Sequence, residues 1–201
     1  MQVLSAHAVQ KKYRRNHVLK GANLTVDSGT LVGIVGENGS GKSTLLKILA
    51  GELQADSGTV QVAGQIGYCP QQPVVNESLT VQEHLDYFKQ AYRLPNDNYA
   101  KQLLEQLKFT KFLGSQTASL SGGTRQKLNL TLALMHKPAV LLLDEPYQGF
   151  DWETYLRFWD LVADLKRAGT AIVVISHLIF EQKKFDQILQ LKAGRISETQ
   201  S

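Results

Sequence analysis

Three groups of residues in this chain have the types and spacing to handle phosphate. The first is Gly36, Glu37, Asn38, Gly39, Ser40, Gly41, Lys42, Ser43 and Thr44, which follow the apolar run 31–35 and lead into the helix-spaced Leu45, Leu46, Ile48 and Leu49. Glycines here let backbone N–H groups converge on anionic oxygens. Lys42 adds a point charge for the outer phosphates, Ser43 offers a hydroxyl to Mg²⁺, and the following helix turns its positive end toward the anion. Glycine, four residues, then Gly-Lys-Ser between a strand and a helix makes nucleotide binding the leading expectation.

The second group is Asp144 and Glu145, set between the apolar Leu141, Leu142, Leu143 and Pro146. Adjacent carboxylates at the end of a buried strand are suited to holding Mg²⁺ and activating water. Neighbouring side chains on a strand diverge, so the two acids have separate tasks: Asp144 serves the metal, directly or through its hydration shell, and Glu145 polarises the attacking water. An ordinary acidic turn before proline is the alternative for such a triplet alone. The third group is Leu120, Ser121, Gly122, Gly123 and Thr124 at the start of a helix. There a hydroxyl and N–H groups either grip a second face of a phosphate or, in the case of Ser121, simply cap the helix.

Several elements must position these groups. Residues 4–9 and 24–26 read as short strands of an antiparallel opening section, with turn residues at 27–29. After the first helix, a turn at 54–58, a strand at 59–63, Gly64 and a short run 65–69 follow. From Gln72 the character changes, with helical spacing in Val81, Leu85 and Phe88 and again in Leu103, Leu104 and Leu107, separated by residues 95–98. The core then resumes with a helix over about 122–136, a buried strand 139–143, a helix 152–168 closed by Gly169, a second buried strand 171–175 and a terminal hairpin turning at Gly194. Apolar strands alternating with helices predict an α/β fold with a mostly parallel sheet covered on both faces, plus an N-terminal antiparallel β-subdomain and an inserted helical subdomain. Within one domain of 1–201, residues 1–71 and 136–201 form the core and 72–135 the helical part.

At 201 residues and 43% hydrophobic content the chain can bury one substantial core. Its apolar runs are far shorter than the roughly 20 residues that cross a bilayer, and the single Cys69 allows no internal disulfide. No charged-then-apolar leader opens the chain, so cytosolic residence is expected. The net charge of +4 raises the question of nucleic acid. Apart from Lys11, Lys12, Arg14, Arg15 and Lys20, however, the basic residues are interleaved with acids as on solvated helix faces, and no nucleic acid partner is expected. An anionic membrane leaflet or an acidic partner loop would use such a surface equally well.

The three motifs, in this order, resemble the nucleotide-binding domain of ATP-binding cassette (ABC) transporters along nearly the whole chain, with residues 120–124 matching the signature of that family. The resemblance implies a P-loop NTPase core with a RecA-like sheet, MgATP as substrate, and further site residues. Tyr13 stands where the family stacks an aromatic ring on adenine, although a lone tyrosine near a strand is otherwise core. Gln71, after Gly67, Tyr68, Cys69 and Pro70, matches the glutamine loop that touches Mg²⁺ or water and hinges the helical lobe; Gln72 beside it competes for the register, and Pro70 favours Gln71. Asp151 matches the aspartate loop that crosses to a partner subunit, and it also suits the N-cap of the helix starting at Trp152. His177 matches the switch histidine that bonds the γ-phosphate.

Departures fall at Thr124, Tyr147 and Phe150, where the family commonly has glutamine, a smaller residue and leucine. The resemblance further implies that the phosphate loop of one chain and the signature of a second sandwich each ATP, so that two copies of the chain form a homodimer in head-to-tail apposition when ATP binds. It implies a separate membrane permease docked near residues 74–88 and a peripheral place on the cytoplasmic side of the inner (cell) membrane. The signature variant resembles those of exporters. Alternatives are a soluble ABC ATPase without a pore, serving metal-cluster assembly, DNA repair or ribosomes; a P-loop kinase, which would carry an arginine-rich lid; and a regulatory ATP-binding module without turnover.

Overall fold

The computed structural model describes residues 1–176 and 181–198. Strands β1 (Gln2–Tyr13) and β2 (Asn16–Asp27) form a long hairpin turning at Arg14, whose φ is 54°. With β4 (Ser57–Val62) they make an antiparallel sheet ordered β2-β1-β4. This hairpin runs well past the expected strands at 4–9 and 24–26. Its outer half carries the exposed Lys12, Tyr13, Asn16 and His17, which pair across the strands but show no apolar alternation.

The second sheet holds β3 (Leu31–Val35), β5 (Ile66–Cys69), β6 (Val140–Asp144), β7 (Ala171–Ile175), β8 (Gln187–Lys192) and β9 (Arg195–Glu198) in the order β5-β6-β7-β3-β8-β9. All neighbours run parallel except β8 and β9, which form the terminal hairpin. The continuous apolar runs of β6 and β7 follow from burial on both faces. Because side chains alternate along a strand, Leu141, Leu143, Ile172 and Val174 enter one core with the helices. Val140, Leu142, Val173 and Ile175 enter a second core shared with the antiparallel sheet and helix α1 (Lys42–Leu49).

Helices α2 (Val81–Ala91) and α3 (Asn98–Gln106) form the inserted lobe, the first fixed by a capping box between Thr80 and Glu83. Helix α4 (Gly122–Leu134) is buried along most of its length. Its Ala133 carbonyl passes so close to β5 that a Cβ on Gly67 would stand 2.2 Å from that oxygen. Asn129 Nδ2 donates to the Pro70 carbonyl at 2.9 Å, and His136 Nε2 donates to the Ile66 carbonyl at 3.0 Å. Helix α5 (Trp152–Arg167) buries Phe158, Trp159, Val162 and Leu165 against the sheet and ends at Gly169, whose φ of 94° favours glycine. Among the described residues no helix is long and apolar enough to cross a membrane.

Register places the chemistry. Ile34 of β3 and Asp144 of β6 both pair with Ile175 of β7, so the segments after all three strands emerge at one carboxyl edge. With β7 between them, β3 and β6 lie about 10 Å apart, room for a phosphate chain and its cation.

Candidate functional site

The phosphate loop leaves β3 at Gly36. A Cβ there would stand 2.5 Å from the Leu191 carbonyl and 2.8 Å from Ser40 Oγ, so only glycine lets the loop pass this close to β8. Gly39 and Gly41 have φ of 78° and 104°, and Gly41 delivers the chain into α1 in the left-handed conformation. The loop thereby forms a backbone nest at the positive end of a helix.

Lys42 folds back over this loop, its Nζ donating to the carbonyls of Gly36 at 2.8 Å and Glu37 at 3.0 Å. Its side chain is buried. Burial pulls its pKa below the ordinary lysine value, and the carboxylates of Glu145 and Asp144 work in the opposite direction.

A cleft of about 470 Å³ at this edge is lined by Val18, Asn38, Gly39, Gly41, Lys42, Ser43, Thr44, Gln71, Asp144 and Glu145. Residues from β2, the phosphate loop, the exit of β5 and the end of β6 therefore converge, though more than a hundred positions separate the first from the last. Asp144 is 3% exposed, whereas Ser43 and Gln71 lie at the surface. Glu145 adopts φ 50°, an uncommon conformation for a side-chain-bearing residue, and its N–H is bonded to the Ile175 carbonyl at 3.0 Å. The donor set suits a hard cation, with the Ser43 hydroxyl, the Asp144 carboxylate and the Gln71 amide on one cleft. No group of three or more His, Cys, Asp and Glu converges among the described residues. A hydrated Mg²⁺ shared with phosphate oxygens fits that set better than a cation caged by protein alone.

The other expected residues sit elsewhere. Glu37 and Ser40 line a smaller cavity of about 220 Å³ against residues 190–193. Tyr13 is 47% exposed at the end of the β1–β2 hairpin, with Lys11 Nζ 5.8 Å from its ring centre, and does not line the main cleft. Ser121, Gly122 and Asp151 are exposed and do not line the main cleft. Ser121 Oγ accepts from the Thr124 N–H at 3.2 Å, and Asp151 Oδ1 accepts from the Thr154 N–H at 2.8 Å, so each caps its helix. Gly123 packs on the turn before α5, where a Cβ would come within 2.2 Å of the Gly149 carbonyl. The signature and the aspartate turn thus form one continuous patch. His177 lies outside the described residues.

Two residues at the site escaped sequence reasoning. Val18 lines the cleft and would meet a Cβ on Gly41 at 2.8 Å, a contact visible only once β2 is placed beside the loop. Ser176 accepts a hydrogen bond from Tyr147 Oη at 2.5 Å, tying the turn after Glu145 to the end of β7. The unusual Tyr147 was a signal there, but its partner was not legible.

The sequence pattern of the ABC transporter family matches residues 19–148. An ABC transporter ATP-binding protein of uncharacterized role from Methanocaldococcus jannaschii is 31% identical over 189 residues, covering 92% of this chain and 72% of that protein. ABC transporter G family member 23 of Dictyostelium discoideum is 33% identical over 214 residues, and the match spans 98% of this chain but only 30% of that relative's length. A solved ATP binding subunit of an ABC transporter superposes with a TM-score of 0.91 at 26% identity, covering 98% of this chain and 90% of that one.

Proposed function

Because this chain belongs to the ABC transporter family, we propose that it is the ATP-hydrolysing part of a transporter, working in the export direction and driving a separate transmembrane permease. The observation that carries this reading is the convergence of Lys42, Ser43, Gln71, Asp144 and Glu145 on one cleft. ATP lays its phosphates along residues 36–44. Lys42 exchanges its bonds to the Gly36 and Glu37 carbonyls for bonds to the outer phosphates. Ser43 and Asp144, with Gln71 beside them, would hold Mg²⁺, which would supply charge neutralisation to the phosphates. Glu145 takes the proton of the attacking water, and Tyr13 stacks on the base. The resemblance gives His177 the γ-phosphate contact.

Ser121, Gly122, Gly123 and Asp151 do not line the cleft of their own chain, which supports a site completed by a second copy about a two-fold axis. ATP then binds the closed homodimer far better than the open one, and hydrolysis releases it. The helical part, residues 72–135, moves against the core of 1–71 and 136–201 with Gln71 as hinge. The exposed Val74 and Tyr87 on this part support its docking on a permease at the cytoplasmic side of the inner membrane. Nucleic acid has no part in this scheme.

Glu145→Gln tests the reading. The variant should bind MgATP normally, lose turnover, and run as a dimer with ATP on size exclusion. Monomers throughout, with undiminished phosphate release, would overturn both the shared site and the assigned base.

A further inference from the structure

The turn that follows β6 holds Glu145 at φ 50°, which costs a side-chain-bearing residue energy and persists only where the surroundings hold it. Within the turn, the Gln148 N–H is bonded to the Glu145 carbonyl at 3.2 Å. Toward β7, the Glu145 N–H reaches the Ile175 carbonyl at 3.0 Å, and Tyr147 Oη donates to Ser176 Oγ at 2.5 Å. Ser176 is 2% exposed, and its own N–H is bonded to the Ile34 carbonyl of the phosphate-loop strand at 3.3 Å. The ring of Tyr147 is wedged against α5, with centroids 5.5 Å from Tyr155 and 5.8 Å from Phe158, so the hydroxyl is aimed by packing.

We infer that Tyr147 is a positioning residue for Glu145: through Ser176 its hydroxyl fixes the strained turn at a set distance from the phosphate loop. The path runs from Glu145 through Tyr147 and Ser176 to Ile34, two residues ahead of Gly36, and so links the residue read as the base to the loop read as the phosphate cradle. Burial pushes the phenol up to about 12, so at neutral pH it keeps the proton that it donates to Ser176. A small residue at position 147 would make none of these contacts. The inference rests on the reading of Glu145 as general base.

Tyr147→Phe removes one oxygen and leaves the ring. In the full chain it should lower kcat about tenfold while leaving the Kd for a fluorescent MgATP analogue unchanged, since a misplaced base slows chemistry without loosening the nucleotide. Ser176→Ala should cost the same factor, and the double variant no more than either single one. In single-turnover assays on Glu145→Gln, adding Tyr147→Phe should change nothing further. Wild-type kcat in Tyr147→Phe beside an inert Glu145→Gln overturns this inference alone, as does the full tenfold loss persisting in the Glu145→Gln background. A Glu145→Gln protein that hydrolyses at the wild-type rate overturns the assignment of the base and this inference with it.

Discussion

Replacing Lys42 with methionine should separate the stability of the free chain from its response to nucleotide. Lys42 is 6% exposed and holds two loop carbonyls at 2.8 and 3.0 Å. A hydrogen bond to a charged group contributes about 1.5–3 kcal/mol, and at the upper end its loss weakens MgATP binding by about a hundredfold. With ATP at about a thousand times the wild-type Kd, the ligand stabilises wild type by about 4 kcal/mol and the variant, now near ten times its Kd, by about 1.4 kcal/mol. For a chain of this size that difference of roughly 2.7 kcal/mol corresponds to about 5–11 °C in melting temperature. Without nucleotide, methionine fills a similar volume and removes a cation that burial disfavours, which offsets the loss of the two carbonyl bonds, so the melting temperature should move less than the nucleotide-dependent difference does. The sign with pH follows: the unfolded chain binds this proton more tightly, so wild type gains stability from the folded pKa of Lys42 up to about 10.4, and the variant lacks that gain. Scanning fluorimetry with and without MgATP reads all of this. A variant that keeps the full nucleotide shift would refute the placement of Lys42 on the phosphates.

Asp151→Ala should lower the urea-derived stability by about 1 kcal/mol, because Asp151 caps α5 through the Thr154 N–H at 2.8 Å. That bond holds the Asp151 carboxyl below the usual carboxylate range. The gap between wild type and variant should therefore be full above the unfolded value of about 3.9 and close as pH falls through the folded value, and a gap unchanged in acid would contradict the cap. Gly123→Ala should destabilise by about 1–3 kcal/mol, since its Cβ would stand 2.2 Å from the Gly149 carbonyl. Gly122→Ala meets nothing within 4 Å and should melt like wild type; equal melting of the two variants would refute the packing of the signature on the turn.

Much of the architecture was legible because it is local. The phosphate loop needs its glycines, lysine and serine in one stretch, and the buried strands Val140–Asp144 and Ala171–Ile175 announce themselves as unbroken apolar runs. The helix caps at Ser121 and Asp151 were readable for the same reason. The outer half of the β1–β2 hairpin was not legible, because cross-strand hydrogen bonds hold Lys12 opposite His17 where hydropathy gives no alternation. Strand order was likewise hidden, since β7 enters between β3 and β6 only through three-dimensional pairing. Val18 and Ser176 join the site across the same kind of distance, and His177 lies outside the described residues.

The bonds between α4 and β5 bear on how molecules of this chain meet at high concentration. Strand β5 ends the six-stranded sheet, the kind of rim that recruits foreign strands into aggregates. Here Asn129 and His136 occupy the carbonyls of Pro70 and Ile66. An incoming strand would first have to evict two side chains rooted on or just beyond a buried helix, so that rim is guarded against fibril-like growth without an exposed lysine on it.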